Sequence, residues 1–156
     1  MRSTRQRFLK MLGESGFWKP TGRVHAWLYR TTGGRIGHRT GHINNLLLTT
    51  TGRKSGAPRT VTLAYMSDAE TYVVVASNGG ADRHPVWWLN LQANPRARVQ
   101  VGDRLLSVEA VEADSAERAR LWPQLKQYNP FYSQYEQITD RRIPVVILRP
   151  VGSTDH

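Results

Sequence analysis

Six short segments rich in Leu, Val, Thr and Tyr lie along the chain after residue 44, with turn residues or short helical patterns between them. This composition predicts β-strands. With only 156 residues and few, short helical patterns, the chain favours one small β-barrel with helical decoration, an α+β fold that is mainly β. The predicted strands are Asn45–Thr51, Arg59–Met66, Thr71–Ser77, Ala97–Val101, Leu105–Glu112 and Ile143–Pro150.

Two helices are predicted between these strands. One begins with Pro85 as its first helical residue and ends at Asn94, which precedes a proline. The other covers residues 115–128, because Asp114 and Glu117 have the spacing of a capping box. Pro123 is expected to kink or end this second helix.

The first 42 residues form a basic segment with nine Lys and Arg residues and one acid, Glu14. Two apolar patterns in it have helical spacing, and the glycine-rich residues 31–43 that follow predict a loop. The segment either packs on the domain with a solvated basic face or rests on anionic lipid. We therefore divide the chain into a basic amphipathic helical segment (1–42), the barrel domain (43–150) and a tail (151–156). The two apolar patterns consist of Phe8, Met11 and Leu12, and of Val24, Trp27 and Leu28.

A formal net charge of +10 indicates an anionic partner: nucleic acid, an acidic lipid surface or a polyanionic small molecule. The absence of cysteine excludes thiol chemistry, disulfides and Cys-ligated metals, and fits a cytoplasmic protein. His38 and His42 lie four residues apart in a loop without a nearby carboxylate, so we expect no metal site. No catalytic triad or carboxylate pair stands out, so an enzyme with this sequence would depend on a cofactor.

The segment TGRKSGAPR places three cations, Arg53, Lys54 and Arg59, on a turn between two predicted strands. Its glycines permit close backbone approach, and Thr51 and Ser55 add hydroxyl groups. This combination suits a phosphate or a carboxylate. The spacing differs from that of the phosphate loop of nucleotide triphosphatases. A solvated basic hairpin is the alternative that composition alone leaves open.

The segment ASNGGADRHPVWW follows the third predicted strand and leads into a helix. Trp87 and Trp88 are neighbours and differ by about 100° around that helix, so we expect one in the core and the other beside a flat ligand. Further along, Tyr132 and Tyr135 lie in an aromatic cluster with Tyr128 and Phe131. These rings either cap the core or line a pocket for a flat substrate with polar edges.

Three stretches together resemble the deazaflavin-dependent nitroreductases of actinobacteria, a family also described as quinone reductases that use coenzyme F-420. They are LLLTTTGRKSGAPR, VVVASNGGADRHPVWWLNLQANP and LWPQLKQYNPFY with the following QYEQITDRRIPVVILRP. The resemblance extends from about Phe17 to Pro150 and implies a split β-barrel of the flavin-binding type, in agreement with the strand count.

The resemblance also implies a cofactor, an 8-hydroxy-5-deazaflavin with a phosphate and an oligoglutamate tail, and therefore a polyanion. In the family's pattern the turn after the first strand binds the phosphate, the next strand lines the cofactor, and two later segments lie at the deazaflavin ring. The residues at the matching positions are Arg53, Lys54 and Ser55 in the turn, Arg59, Thr60, Val61, Thr62, Leu63 and Ala64 in the strand, Val75, Ala76, Ser77 and Asn78 at the ring, and Val86, Trp87, Trp88, Leu89 and Asn90 at the start of the helix beside it.

Tyr132 matches a tyrosine of the family's substrate and cofactor pocket, and Tyr135 matches a second pocket tyrosine. With Ser77, they are the residues we expect to orient the electron acceptor. Two positions depart from the pattern: Asn78 stands where a lysine is frequent, and Asn129 stands where the nitroimidazole-reducing member has a tyrosine.

The resemblance implies an oxidoreductase that transfers a hydride from reduced coenzyme F-420 to a quinone or nitro-type acceptor, with menaquinone as the first choice. The basic amphipathic segment 1–42 predicts peripheral contact with the inner face of the membrane, and we expect no nucleic-acid partner. Two alternatives stay open at this point: a split-barrel oxidoreductase that binds FMN, and a non-catalytic basic module that binds nucleic acid.

Overall fold

The computed structural model describes residues 19–35 and 37–152, so the first predicted apolar pattern, around Phe8, lies outside the described residues. The helices are α1 (Lys19–Thr31), α2 (Val86–Ala93), α3 (Ser115–Tyr128) and α4 (Phe131–Ile138). The strands are β1 (Arg39–Thr40), β2 (Ile43–Thr51), β3 (Pro58–Asp68), β4 (Thr71–Val75), β5 (Arg96–Val101), β6 (Arg104–Glu112) and β7 (Val145–Pro150).

Six of these strands form a closed antiparallel barrel in the order β2-β3-β4-β7-β6-β5, and β5 pairs back onto β2. The predicted barrel of six strands is confirmed. The seventh strand, β1, is an addition: residues 39–40 lie in the region predicted as a loop and pair with the start of β2. Strand β4 stops at Val75, two residues earlier than predicted.

Alternating side chains of the strands fill the barrel interior, as expected for strands with one buried face. Leu46 and Leu48 of β2 contribute to this core, and α2 adds Trp87 and Trp88. The two tryptophans are only 8% and 5% exposed, so the expectation that just one of them would reach the core is wrong. Three of the first five residues of α2 are buried. The core therefore contacts more than one face of this short helix.

Helices α3 and α4 cover the outer face of β4 and β7. Leu121 and Trp122 of α3 and Tyr132 of α4 form a second core with the outward side chains of those strands. Helix α3 begins as predicted, because the Asp114 Oδ1 accepts a hydrogen bond of 2.8 Å from the backbone N–H of Glu117. It does not end at Pro123, however, because buried residues on either side of the proline hold the helix against the barrel.

Helix α2 also begins one residue later than predicted. Pro85 has an extended backbone with ψ of 150° and caps the helix instead of forming its first turn. Its carbonyl still accepts the first hydrogen bonds, from the N–H groups of Trp88 and Leu89.

Helix α1 packs on the outside of the barrel through Ala26 and Tyr29, which contact Leu47 of β2. Val24 and Trp27 are 58% and 62% exposed. The apolar stripe predicted from these two residues is therefore not the face that packs on the barrel. Within residues 19–152, none of the helices has the length and apolar character that crossing a bilayer requires.

Candidate functional site at the split in the barrel

Strand β3 is not paired with β4 over most of its length. Residues 58–65 of β3 pair with β2, but only residues 66–68 pair with β4. Among the described residues, no strand occupies the other edge of β3 from residue 58 to residue 65. The barrel therefore has a split, and the segment on each side of it contains residues predicted to bind a cofactor.

The β3 side of the split contains the predicted strand residues 59–64, but they do not share one surface. Val61 and Leu63 pack against the barrel interior. Thr60 points the opposite way, as alternation along a strand requires. Its Oγ1 accepts a hydrogen bond of 3.0 Å from Nη2 of Arg30 on α1, a residue that sequence reasoning did not select. Thr62 and Ala64 alternate with the inward residues in the same way as Thr60, and Arg59 is exposed at the start of the strand.

The turn between β2 and β3 carries the predicted anion-binding residues on an ordered backbone. The N–H of Gly52 donates to the carbonyl of Ala57 at 2.8 Å, and Gly56 has a φ of +70°, which favours glycine. Ser55 Oγ accepts from the N–H of Ala57. Arg53, Lys54 and Ser55 are all exposed, and the two cations form no ion pair with any described residue. Unpaired cations on a fixed turn are suited to an anionic ligand.

Asn90 holds this turn in place from α2. Its side chain is 1% exposed, its Oδ1 accepts from the backbone N–H of Arg53 at 3.1 Å, and its Nδ2 donates to Thr50 Oγ1 at 3.1 Å. The prediction placed Asn90 at the cofactor through the resemblance alone. In the structure, its side-chain amide is hydrogen-bonded to Arg53 and Thr50, so Asn90 positions the cations of the turn through the backbone.

On the β4 side of the split, the chain continues from Val75 into the loop of residues 76–85, which enters α2. Asn78 has a φ of +47°, an unusual value for a residue with a side chain, and its Nδ2 donates to the carbonyl of Arg83. Gly80 has a φ of +80°, and a Cβ placed on it would lie 2.5 Å from Ile138 Cδ1 and 3.3 Å from the Cα of Tyr135. Only glycine permits this approach, which brings α4 against the loop.

Arg141 contacts the loop 76–85, although it was not predicted from the sequence to belong to the site. Its guanidinium donates to the carbonyls of Ala76, Ser77 and Ala81 at 3.1, 2.7 and 2.8 Å. A fourth contact joins Nη1 to His84 Nδ1 at 3.2 Å. Arg141 stands beside another arginine in the sequence TDRRIP, and such a pair looks like solvated surface charge.

The two predicted tyrosines differ in their surroundings. Tyr132 is buried with its ring stacked on Trp122, and burial raises its pKa to about 12 against a smaller opposing effect of a hydrogen bond with the Asn129 side chain. Tyr135 is half-buried, and burial also raises its pKa. Both hydroxyls are therefore protonated at neutral pH and can donate hydrogen bonds. Of the two, Tyr135 is the one whose backbone contacts the loop at Gly80.

The remaining predicted site residues are distributed between core and surface. Val75 and Ala76 are buried at the end of β4, and Ser77 is partly exposed. At the start of α2, Val86 is exposed and Leu89 is partly exposed. No group of three or more His, Asp or Glu side chains in the described part of the chain could hold a metal ion.

The contact between His84 and Arg141 predicts a pH dependence of stability. Burial lowers the pKa of His84 below 6.5, and Arg141 lowers it further while Glu112 opposes the shift. Between the lowered pKa and 6.5 the unfolded chain binds more protons, so stability decreases as the pH falls through this range. We expect thermal denaturation at pH 7 and pH 5 to show a smaller acid-induced loss in His84→Asn than in the wild type. Equal losses in both proteins would contradict this, and His42→Asn, at an exposed position, is the matched control.

Comparisons with known proteins agree with the fold. Residues 21–150 match the model of the family described as F420H(2)-dependent quinone reductase. An F420H(2)-dependent quinone reductase of Mycobacterium tuberculosis is 45% identical over 130 residues, which cover 81% of this chain and 87% of the relative.

Two solved structures are also similar. One, described as an F420-H2 dependent reductase, has 42% identity and a TM-score of 0.63, covering 67% of this chain and 93% of its own. The other, described as a domain-swapped dimer, has 37% identity and a TM-score of 0.66, covering 83% of this chain and 99% of its own. The resemblance seen in the sequence is confirmed: the chain belongs to the F420H(2)-dependent quinone reductase family.

Proposed function

We propose that this chain transfers a hydride from reduced coenzyme F-420 to a quinone at the split between β3 and β4. The observation that carries the proposal is the position of the turn 52–57, whose exposed cations lie at the same end of the barrel as the loop 76–85. A polyanionic cofactor with a flat ring matches this combination of a cationic turn and a strand edge that no other described strand pairs with.

The residues present fit such a cofactor. Arg53 and Lys54 are exposed and without an ion pair among the described residues, so a phosphate or a carboxylate tail meets no competing acid there. Ser55 Oγ accepts from a backbone N–H, which leaves its own proton available to an oxygen ligand. We assign the phosphate to Arg53, Lys54 and Ser55, and part of the acidic tail to Arg59.

When bound, the deazaflavin supplies the hydride. The chain supplies orientation and proximity: the loop 76–85 and the start of α2 lie along one side of the split, and β3 forms the other. We assign Ser77 and Tyr135 as donors of hydrogen bonds to an acceptor oxygen beside the loop. Stacking on Trp122 fixes the ring of Tyr132. We therefore assign to Tyr132 the role of holding Tyr135 in position, since their ring centroids lie 6.5 Å apart.

Fluorescence titration of the purified protein with coenzyme F-420 and, separately, with FMN tests this proposal. We expect saturable binding of the deazaflavin with weaker or no binding of FMN, followed by oxidation of the reduced cofactor on addition of a water-soluble quinone. Binding of FMN in preference to the deazaflavin would replace the proposal with the flavin alternative. Binding of DNA without either cofactor would replace it with the nucleic-acid alternative.

Removal of the Tyr135 hydroxyl should affect turnover more than removal of the Tyr132 hydroxyl. We expect Tyr135→Phe to lower kcat/KM for the quinone by about 2- to 10-fold, the value of one hydrogen bond, with little change in cofactor affinity. Tyr132→Phe should instead lower the melting temperature, because the Asn129 side chain loses a buried partner. Steady-state kinetics and thermal denaturation of both variants distinguish these effects. Unchanged kinetics in Tyr135→Phe would remove this residue from the acceptor site.

The finer proposal is that the acceptor is a membrane quinone, with menaquinone as the first choice, reached from an anionic bilayer surface. Exposed Val24 and Trp27 on α1, in a chain with a net charge of +10, support this orientation. Exposed apolar side chains combined with basic residues are typical of helices that lie in the interface.

We therefore expect Trp27→Ala to reduce co-sedimentation with vesicles containing anionic lipid and to slow turnover of long-tailed quinones. Turnover of water-soluble quinones should not change. Leu105→Ala removes another exposed apolar side chain, at the β5–β6 hairpin, and is the matched control. Co-sedimentation equal to that of the wild type would indicate that the exposed face of α1 does not bind lipid.

A further inference from the structure

We propose that Arg141 is a positioning residue that makes the loop 76–85 present two adjacent backbone N–H donors, those of Ser77 and Asn78, to an oxygen atom of a ring ligand. The proposal rests on the proposed function, since the ligand is either the deazaflavin or the quinone. It assigns to Arg141 a role in the reaction, although the residue lies between α4 and β7.

The guanidinium of Arg141 binds three carbonyls of the loop, and one of them, that of Ser77, also accepts a hydrogen bond of 2.9 Å from the N–H of Gly80. One nitrogen, Nη2, donates to both Ala76 and Ser77, and Nε donates to Ala81. Arginine has no acceptor, so its contact with His84 requires the imidazole Nδ1 to accept. Three carbonyls and one ring nitrogen from ten successive residues thus converge on one side chain.

Because each peptide group is planar, the direction of a carbonyl also determines the direction of the N–H that follows it. In a trans peptide the N–H of one residue points opposite to the carbonyl of the residue before it. Since the carbonyl of Ala76 points at Arg141, the N–H of Ser77 points away from it. The carbonyl of Ser77 fixes the N–H of Asn78 in the same way. Both donors are therefore directed out of the loop, on the side opposite the guanidinium.

The backbone angles support the same conclusion. Ser77 has right-handed helical angles of −76° and −31°, and Asn78 follows with a φ of +47°. A right-handed residue followed by a left-handed one places successive N–H groups around a concave site that binds anionic oxygen. Neither N–H has a hydrogen-bond partner among residues 19–35 and 37–152. The donors are formed, aligned and available.

The chemistry of the reaction makes such a pair useful. A quinone that accepts a hydride becomes a hydroquinone anion, and the negative charge is localised on its oxygens until a proton arrives. Fixed N–H donors stabilise charge that develops at one oxygen without reorganising. The oxidised deazaflavin also carries ring oxygens that could accept from the same pair, so the shared requirement is a carbonyl or phenolate oxygen.

The N–H of Ser77 can be deleted selectively. Its φ of −76° is compatible with proline, and the preceding Ala76 directly follows a strand. Ser77→Pro removes both the hydroxyl and the N–H, whereas Ser77→Ala removes only the hydroxyl. The ratio of cofactor affinity, or of quinone kcat/KM, between the two variants therefore measures the contribution of the N–H group. We expect Ser77→Pro to have about 10- to 100-fold lower cofactor affinity or quinone kcat/KM than Ser77→Ala. The upper end of this range corresponds to the loss of one oxyanion donor.

The role of Arg141 is tested by Arg141→Ala, with the adjacent exposed Arg142→Ala as a control of equal charge. We expect the Arg141 variant to have about 10-fold or more lower cofactor affinity or quinone kcat/KM than the Arg142 variant. Added guanidinium chloride should restore part of this loss. Hydrogen exchange of the protein without cofactor should show faster exchange in residues 76–85 in the Arg141 variant alone. If Arg141→Ala does not fold, the Ser77 pair still tests the donor.

Two measurements identify the oxygen: fluorescence affinity for oxidised coenzyme F-420, and kcat and KM for a water-soluble quinone. A loss of cofactor affinity assigns the N–H pair to a deazaflavin oxygen, and a loss of kcat/KM for the quinone alone assigns it to the acceptor. Equal values in Ser77→Pro and Ser77→Ala, or in the Arg141 and Arg142 variants, would overturn the proposal. Absence of cofactor binding in the wild type would instead reject the proposed function itself.

Discussion

Replacement of Arg53 or Lys54 by alanine is expected to weaken binding of coenzyme F-420 by about 10- to 100-fold. A hydrogen bond between charged groups contributes about 1.5–3 kcal/mol, and about 1.4 kcal/mol corresponds to a tenfold change in affinity. Neither cation has an ion-pair partner among the described residues, so the bonds to the cofactor are not offset by a lost internal bond. Fluorescence titration of each variant measures the effect.

A cofactor fragment without phosphate and tail is the control for this prediction. Its affinity should be nearly the same for the wild type and both variants, because the anionic partner is missing. Arg104→Ala removes an exposed cation from the opposite end of the barrel and should leave the affinity for the intact cofactor unchanged. The melting temperature of the protein without cofactor should hardly change. Wild-type affinity in both alanine variants would show that the turn is a solvated hairpin.

The strands and the cationic turn could be predicted because their signals are local. Alternating side chains identify a strand with one buried face, and the glycines and the proline between β2 and β3 identify the turn that joins them. The Asp114 cap was predictable for the same reason, since its partner lies three residues away. Family resemblance then supplied the cofactor, which no local pattern could have identified.

The contacts that organise the site could not be predicted, because they join residues that are distant in the sequence. The hydrogen-bond partners of the Arg141 side chain precede it by 57 to 65 residues, and the Asn90 side chain contacts Arg53 and Thr50, which precede it by 37 and 40 residues. Helical periodicity likewise identified the apolar residues of α1, but it does not say which face meets the barrel. Trp27 is exposed and Tyr29 is buried because Leu47 lies under only one side of the helix.

Replacement of Gly80 by alanine is expected to destabilise the protein by about 2–5 kcal/mol and to weaken cofactor binding. A left-handed φ of +80° costs a residue with a side chain about 1–2 kcal/mol, and an extra carbon in a packed site costs about 1–3 kcal/mol more. Chemical denaturation measures the loss of stability, and fluorescence titration measures the loss of affinity. Because α4 contacts the loop at this glycine, the new methyl group separates Tyr135 from Ser77.

A double-mutant cycle with Ile138→Ala separates the two causes of this destabilisation. The Cβ that alanine adds at Gly80 would lie 2.5 and 2.7 Å from Ile138 Cδ1 and Cγ1, and alanine at position 138 removes both atoms. The single Ile138 variant should lose about 2–5 kcal/mol through its cavity. In the double variant the new methyl group occupies part of that cavity, so the combined loss should be smaller than the sum of the two single losses by about 1 kcal/mol or more. Strict additivity would show that backbone strain alone accounts for the glycine, and that the close packing of α4 on the loop is not required.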